Sequence, residues 1–182
     1  MRGAERKLVV LDRDGVINAD SDDYVKSPDE WRPLPGSLDA IARLGRGGFD
    51  VVIATNQSGL GRGLFSQEAL DAIHARMRAE VAAAGGAIAA IYVCPHRPED
   101  DCACRKPRPG LLEQIGRDFG RPLAGVPFIG DKLSDVQAAV AVGARPFFVL
   151  TPERAADAER ARALGAEVYP SLASAADALL AE

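Results

Sequence analysis

The stretch Lys7-Leu8-Val9-Val10-Leu11-Asp12-Arg13-Asp14-Gly15 decides the fold. An uninterrupted apolar run passes straight into three charged residues and a glycine. Continuous apolar character implies a strand covered on both faces, as in a parallel sheet, since a half-solvated strand would alternate. The glycine allows an immediate turn after the charged triplet. Similar runs recur at Val51–Ala54, Ile88–Val93, Val126–Ile129 and Phe147–Leu150, with a weak strand at Glu167–Tyr169. Helical patterns lie between them. Leu38, Ile41 and Leu44 share a helix face within Ser37–Leu44. Ser66 can cap a long helix reaching Ala84, Pro109 suits the first turn of a helix to Phe119, and Ser134 with Gln137 reads as a capping box. Two further helices are expected at about 153–164 and 171–181. Strand–helix alternation predicts an α/β fold: a doubly wound, Rossmann-like, mostly parallel sheet with helices on both faces.

A length of 182 residues admits one domain with a sizeable core, 1–182. Net charge is −4, which disfavours a nucleic-acid partner because a phosphate backbone calls for a basic surface. No apolar window is long enough to span a membrane, and Met1-Arg2-Gly3 followed by Glu5, Arg6 and Lys7 does not read as a leader. A cytoplasmic location is expected. No heptad pattern or apolar edge demands a partner, so a monomer is expected as well.

In doubly wound folds, chemistry gathers at the carboxyl ends of strands. Here those ends carry Asp12 and Asp14, then Thr55-Asn56-Gln57-Ser58, then Cys104-Arg105-Lys106-Pro107, then Gly130-Asp131-Lys132 with Asp135 close behind. Carboxylates, a hydroxyl and a lysine in this setting suit phosphoryl transfer. Asp12 and Asp14 stand two apart, about 6–7 Å by strand rise. One carboxylate can attack phosphorus while the other protonates the leaving oxygen and later activates water. Mg²⁺ on Asp12, Asp131 and the Asp14 carbonyl would screen the attack on an anionic phosphate. Lys106 supplies a second positive charge, and Thr55 a hydrogen bond. Asp135 reads equally as a metal-shell residue or as an acid at a helix N-terminus. Arg62, between two glycines, reads equally as a solvated side chain or as a contact to a substrate phosphate. His74, mid-helix beside Arg76 and Arg78, reads as a solvated or packing residue rather than a catalytic one, and Trp31, in a proline-rich loop, as a packing residue.

All three cysteines and one of the two histidines fall within Cys94–Cys104. An odd cysteine count excludes a fully paired intramolecular disulfide framework. Cys94, His96, Cys102 and Cys104 instead offer three thiolates and an imidazole, a closed tetrahedral set suited to structural Zn²⁺. Cys104 lies two residues before Lys106, so the metal would anchor the catalytic cation. Only 40 residues separate Asp14 from Thr55 and 50 separate Thr55 from Lys106. The expected elements fill both intervals, which leaves no room for a cap domain.

The Asp12-Arg13-Asp14-Gly15 segment, Thr55, Lys106 and Gly130-Asp131…Asp135 together resemble the four motifs of the haloacid dehalogenase superfamily of aspartate-nucleophile phosphatases. The Thr55–Gly59 segment, Gly61-Arg62-Gly63 and the cysteine loop are similar to those of its D-glycero-D-manno-heptose 1,7-bisphosphate 7-phosphatases. The resemblance implies Asp12 as nucleophile, Asp14 as proton donor, and Thr55 and Lys106 as phosphoryl stabilisers. It implies Mg²⁺ on Asp12, Asp14 and Asp131, and Zn²⁺ on Cys94, His96, Cys102 and Cys104. It places substrate contacts at Arg13, Asp20, Tyr24, Asn56, Gln57, Ser58, Arg105 and Lys132. The implied substrate is a small phosphorylated sugar, in the synthesis of nucleotide-activated heptose for lipopolysaccharide. Histidinol-phosphate phosphatase is the alternative activity, a silent zinc-stabilised binding module the alternative class, and a nucleic-acid 3′-phosphatase a third reading disfavoured by the acidity.

Overall fold

The computed structural model describes residues 6–182. Residues 1–5, on which the reading of no leader rests, lie outside the described residues. β1 (Lys7–Leu11) leads through a long loop to α1 (Ser37–Arg46) and β2 (Phe49–Asn56). A single turn, α2 (Ser58–Gly61), precedes α3 (Gln67–Ala83) and β3 (Ala90–Cys94). The chain continues as α4 (Gly110–Asp118), β4 (Pro127–Gly130), α5 (Leu133–Ala141) and β5 (Arg145–Val149). It closes with α6 (Ala158–Ala163), β6 (Glu167–Tyr169) and α7 (Leu172–Leu180).

Among the described residues all six strands are parallel, in the order β3-β2-β1-β4-β5-β6. The chain starts in the middle, winds out to β3, and returns past β1 to build the other half. Asp12 and Asp131 follow the two strands that flank this reversal, the place where open α/β sheets leave a crevice.

The strand pattern produces the layers directly. Along β1, Val9 and Leu11 pack with Ile41 and Leu44 of α1, Ile73 and Met77 of α3, and Leu179 of α7. Leu8 and Val10 face the opposite layer, with Leu111 and Ile115 of α4 and Ala138 of α5. Each large aliphatic side chain buried this way contributes roughly 1.5–3 kcal/mol. Trp31 is fully buried in the first layer, as expected of a packing residue.

Two local expectations change. The run at Ile88–Val93 becomes the edge strand β3, which is only half-buried up to Cys94, so its apolar character does not reflect cover on both faces. α5 begins at Leu133 with Lys132 as its cap residue, and Asp135 rather than Gln137 closes the turn, accepting the Lys132 backbone N–H at 3.1 Å. The carboxylate reaches that amide two residues before the Ser134 start expected from the sequence.

Ser66 does cap α3, its hydroxyl accepting the Ala69 N–H at 3.2 Å. Ser66→Ala is expected to cost about 1 kcal/mol, or roughly 2–4 °C in melting temperature, measured by thermal unfolding.

Candidate active site

Lys106 organises the site. Its ammonium is buried and has three acceptors around it: the Ala54 carbonyl at 2.7 Å, Asp12 Oδ1 at 3.1 Å and Asp135 Oδ1 at 2.6 Å. Three N–H donors meet three oxygens from β2, the end of β1 and α5. Asn56 pins the lysine's backbone, with its Oδ1 accepting the Lys106 N–H and its Nδ2 donating to the Lys106 carbonyl, both at 3.1 Å. The end of β2 and the lysine loop are thus clamped together. Burial works to pull the lysine's pKa down, but Asp12 and Asp135 overcome it and hold the value above the ordinary lysine range.

Asp12, Asp131 and Asp135 bring carboxylate oxygens within 4.8 Å of one another, all three residues buried. They carry three negative charges against the one of Lys106, and Lys132 is engaged by Asp20 at 2.9 Å. The excess of two suits a divalent cation, and the all-oxygen donor set suits a hard one such as Mg²⁺. Asp131 Oδ1 is buried without a hydrogen-bond partner, an orphan that a cation would satisfy. Burial first, then Asp12, pushes the Asp131 carboxyl up to about 8. Burial likewise pushes Asp12 up to about 6, even against the lysine. Asp135 therefore serves in both of its expected settings, as helix cap and as a member of the acidic cluster.

The Asp14 carboxylate stands apart from this cluster, so a place for Asp14 among the Mg²⁺ ligands falls to its backbone carbonyl. Arg13 Nε and Nη2 donate to its Oδ1 at 3.1 and 2.8 Å, Asn18 Nδ2 donates to Oδ1 at 2.9 Å, and Gln57 Nε2 donates to Oδ2 at 2.8 Å. Burial alone would raise its pKa, but Arg13 and these hydrogen bonds outweigh it and hold the carboxyl below the ordinary range. Only its backbone carbonyl stays available to a cation. Gly15, at φ +81°, turns the chain here, and a Cβ at that position would strike the Asp131 carboxylate.

The Arg13 side chain is not among the residues that line the cavity. It is fully buried behind Asp14, with Nη1 at 3.2 Å from His74 Nε2. Thr55 is fully buried too, its hydroxyl accepting from Gln57 Nε2 at 2.9 Å. The remaining expected residues, Asp20, Tyr24, Asn56, Gln57, Ser58, Arg105 and Lys132, line a cavity of about 460 Å³ with Asp12, Asp14 and Lys106. Tyr24 has φ +65°, a strained backbone at the cavity wall. Arg62 turns outward to Glu99 at 3.4 Å and does not line the cavity.

Arg154 also lines this cavity: it follows β5 and reaches 3.9 Å from Asp131 and 4.0 Å from Asp20. It stands at a strand end, where the same rule applies as at β1 to β4. A larger adjoining cavity of about 640 Å³ shares Asp20, Ser21, Asp22 and Arg154 with the first.

Beside this cavity, Cys94, His96, Cys102 and Cys104 converge. Sulfur separations are 3.6 Å for Cys94–Cys102, 3.3 Å for Cys94–Cys104 and 3.5 Å for Cys102–Cys104, and His96 Nδ1 lies 3.7 Å from Cys94 and 3.3 Å from Cys104. Four soft donors arranged as the corners of one small polyhedron fit a tetrahedral metal such as zinc. Arg105 donates to the His96 carbonyl at 3.3 Å, tying this loop to the cavity wall.

Comparison with known proteins agrees with this geometry. The HAD-hydrolase-like family model matches residues 103–175. The D-glycero-beta-D-manno-heptose-1,7-bisphosphate 7-phosphatase of Pseudomonas aeruginosa is 49% identical over 175 residues, 96% of this chain and 98% of that protein. Its Bordetella bronchiseptica counterpart is 52% identical over 177 residues, 97% of this chain and 99% of that protein. The crystal structure of D,D-heptose 1,7-bisphosphate phosphatase from B. bronchiseptica, complexed with magnesium and phosphate, superposes with a TM-score of 0.89 at 50% identity, covering 96% of this chain and 98% of that one. The chain belongs to the haloacid dehalogenase-like hydrolases. Within them it belongs to the family of the D-glycero-beta-D-manno-heptose-1,7-bisphosphate 7-phosphatases.

The raised Asp131 pKa makes a prediction for Mg²⁺. Between the ordinary carboxyl value and about 8, folded Asp131 keeps a proton that the unfolded chain has lost, so the metal-free protein loses stability as pH rises through that window. A bound cation takes the proton's place. Mg²⁺ is expected to raise the melting temperature more at about pH 8 than at about pH 5. Equal shifts, or a larger one at the lower pH, would exclude Asp131 as a ligand.

Proposed function

We propose that this chain is a Mg²⁺-dependent phosphatase, a phosphoric monoester hydrolase that removes the C7 phosphate of D-glycero-β-D-manno-heptose 1,7-bisphosphate. The observation that carries the chemistry is Asp12 held against the buried Lys106 ammonium, inside a carboxylate cluster fit for a divalent cation. The full-length relatives named for this activity support the substrate.

Asp12 is the nucleophile. The Arg13 backbone N–H at 2.8 Å and Lys106 both hold its Oδ1, leaving Oδ2 as the attacking oxygen. Asp12 and Asp131, with the Asp14 carbonyl, would hold Mg²⁺, with Asp135 beside them. When bound, that ion supplies positive charge to the phosphoryl oxygens and lowers the repulsion between two anions. Lys106 and Thr55 stabilise the transferring group. As the Asp12–phosphorus bond forms and the bond to the leaving oxygen breaks, Asp14 gives its proton to that oxygen. It then takes a proton from the water that cleaves the phosphoryl-aspartate. An anionic phosphate arriving beside Asp14 raises its proton affinity and so loads the acid within the substrate complex. Arg105 and Lys132, joined by Arg154, meet the second phosphate, while Asp20, Tyr24, Asn56, Gln57 and Ser58 shape the sugar site.

The cysteine loop holds structural Zn²⁺ and fixes the position of Lys106. The chain acts as one capless domain in the cytoplasm. It acts as a monomer, because its exposed large hydrophobics, Leu64, Val140, Leu164 and Leu180, sit on separate elements. Among the described residues no helix is long and apolar enough to cross a membrane.

Two experiments test this reading. Asp12→Asn should fold and bind Mg²⁺ yet release no phosphate, whereas wild type should show a higher kcat/KM for the heptose bisphosphate than for histidinol phosphate. The reverse preference would overturn the substrate. Cys102→Ala should lose bound zinc, melt earlier and turn over more slowly; an unchanged metal content, melting temperature and turnover would remove the structural role of the loop.

A further inference from the structure

His74 is a buried titratable group to which the mechanism above gives no task. It sits mid-way along α3, with its ring turned to the charged triplet after β1. Arg13 Nη1 lies 3.2 Å from its Nε2, and Arg13 itself is fully buried. A guanidinium can only donate, so Nε2 must be the ring's lone-pair nitrogen and the ring proton must sit on Nδ1. The other edge of the same guanidinium is committed: Nε and Nη2 both donate to Asp14 Oδ1, and Nη2 also reaches Oδ2 at 3.1 Å.

We infer that His74 is a positioning residue for the proton donor: by accepting from Arg13 Nη1 it locks the guanidinium with its Nε–Nη2 edge presented to Asp14. Without that acceptor a buried N–H would be unsatisfied, and a buried guanidinium responds by turning or by drawing in water. Either response would release Asp14 from the geometry in which its proton meets the leaving oxygen. The ring is kept neutral for this task. Burial first, then Arg13 opposite, lowers its pKa to about 4 against the raising influence of Asp14 and Asp71, with Arg78 on the next turn of α3 also lowering it. The inference rests on the phosphatase reading given above.

The test separates acid catalysis from general damage. A sugar alkoxide needs a proton in order to leave, whereas p-nitrophenolate leaves without one, and kcat/KM reports the steps through phosphoryl transfer to Asp12. His74→Leu should lower kcat/KM on the heptose bisphosphate about ten-fold or more but on p-nitrophenyl phosphate by less than about three-fold. His74→Gln, whose amide oxygen can replace Nε2, should restore most of the loss. Undiminished activity of His74→Leu, equal losses on both esters, or a glutamine variant no better than leucine would overturn the inference. If the leucine variant does not fold, the wild-type protein still decides. Its ring-nitrogen chemical shifts should show a neutral Nδ1–H tautomer for His74, and an Nε2–H tautomer or an imidazolium would refute the contact. Wild type inactive on every ester would instead remove the phosphatase reading, leaving the tautomer to judge the His74–Arg13 bond.

Discussion

A lysine ammonium with almost no exposure to solvent is costly unless every N–H finds an oxygen, and the geometry around Lys106 meets that demand. The Ala54 carbonyl comes from β2, Asp12 from the end of β1, and Asp135 from the first turn of α5. Three separately folded segments must therefore reach their final positions together. The lysine's loop is held in turn by Asn56 through two backbone bonds and adjoins the cysteine cluster at Cys104. A single buried charge thus couples the sheet, the helix cap and the metal-capable loop.

The same cation leaves its carboxylates under-neutralised. Asp12 and Asp131 both hold protons more tightly than ordinary carboxyls because burial penalises their charge and their neighbours repeat it. Asp14, two residues from Asp12, has the opposite character because Arg13, Asn18 and Gln57 surround it with donors. One short segment after β1 thereby carries two aspartates with divergent proton affinities. A cation on the cluster would lower the proton affinity of Asp12, and an anionic phosphate beside Asp14 would raise that of Asp14, the opposite sense to the free site.

Arg105, Lys132 and Arg154 reach the cavity from three different strand ends. Lys132 is paired with Asp20, and Arg154 lies near both Asp20 and Asp131. An anion entering the cavity would compete with these carboxylates for Lys132 and Arg154.

Much of this was readable in the chain. Apolar runs ending in polar residues locate the strands and the polar groups at their tips, because a buried parallel strand and its tip are contiguous in sequence. The cysteine spacing was equally local. Asp135 could be placed only as an alternative, since a helix cap and a cluster carboxylate look the same in one dimension. The burial of the Arg13 side chain behind Asp14 is not legible either, because adjacency to Asp12 and Asp14 does not reveal which way a side chain turns at the end of a strand. Asn56 as the clamp on Lys106, and His74 as the partner of Arg13, join residues 50 and 61 positions apart. No spacing rule connects such pairs. The sequence by itself determined the sheet, its strand tips and the residue types gathered there, through local periodicity and residue chemistry. Only the tertiary structure decided which oxygen each buried cation takes, because hydrogen-bond satisfaction inside a core is settled among groups that the chain keeps far apart.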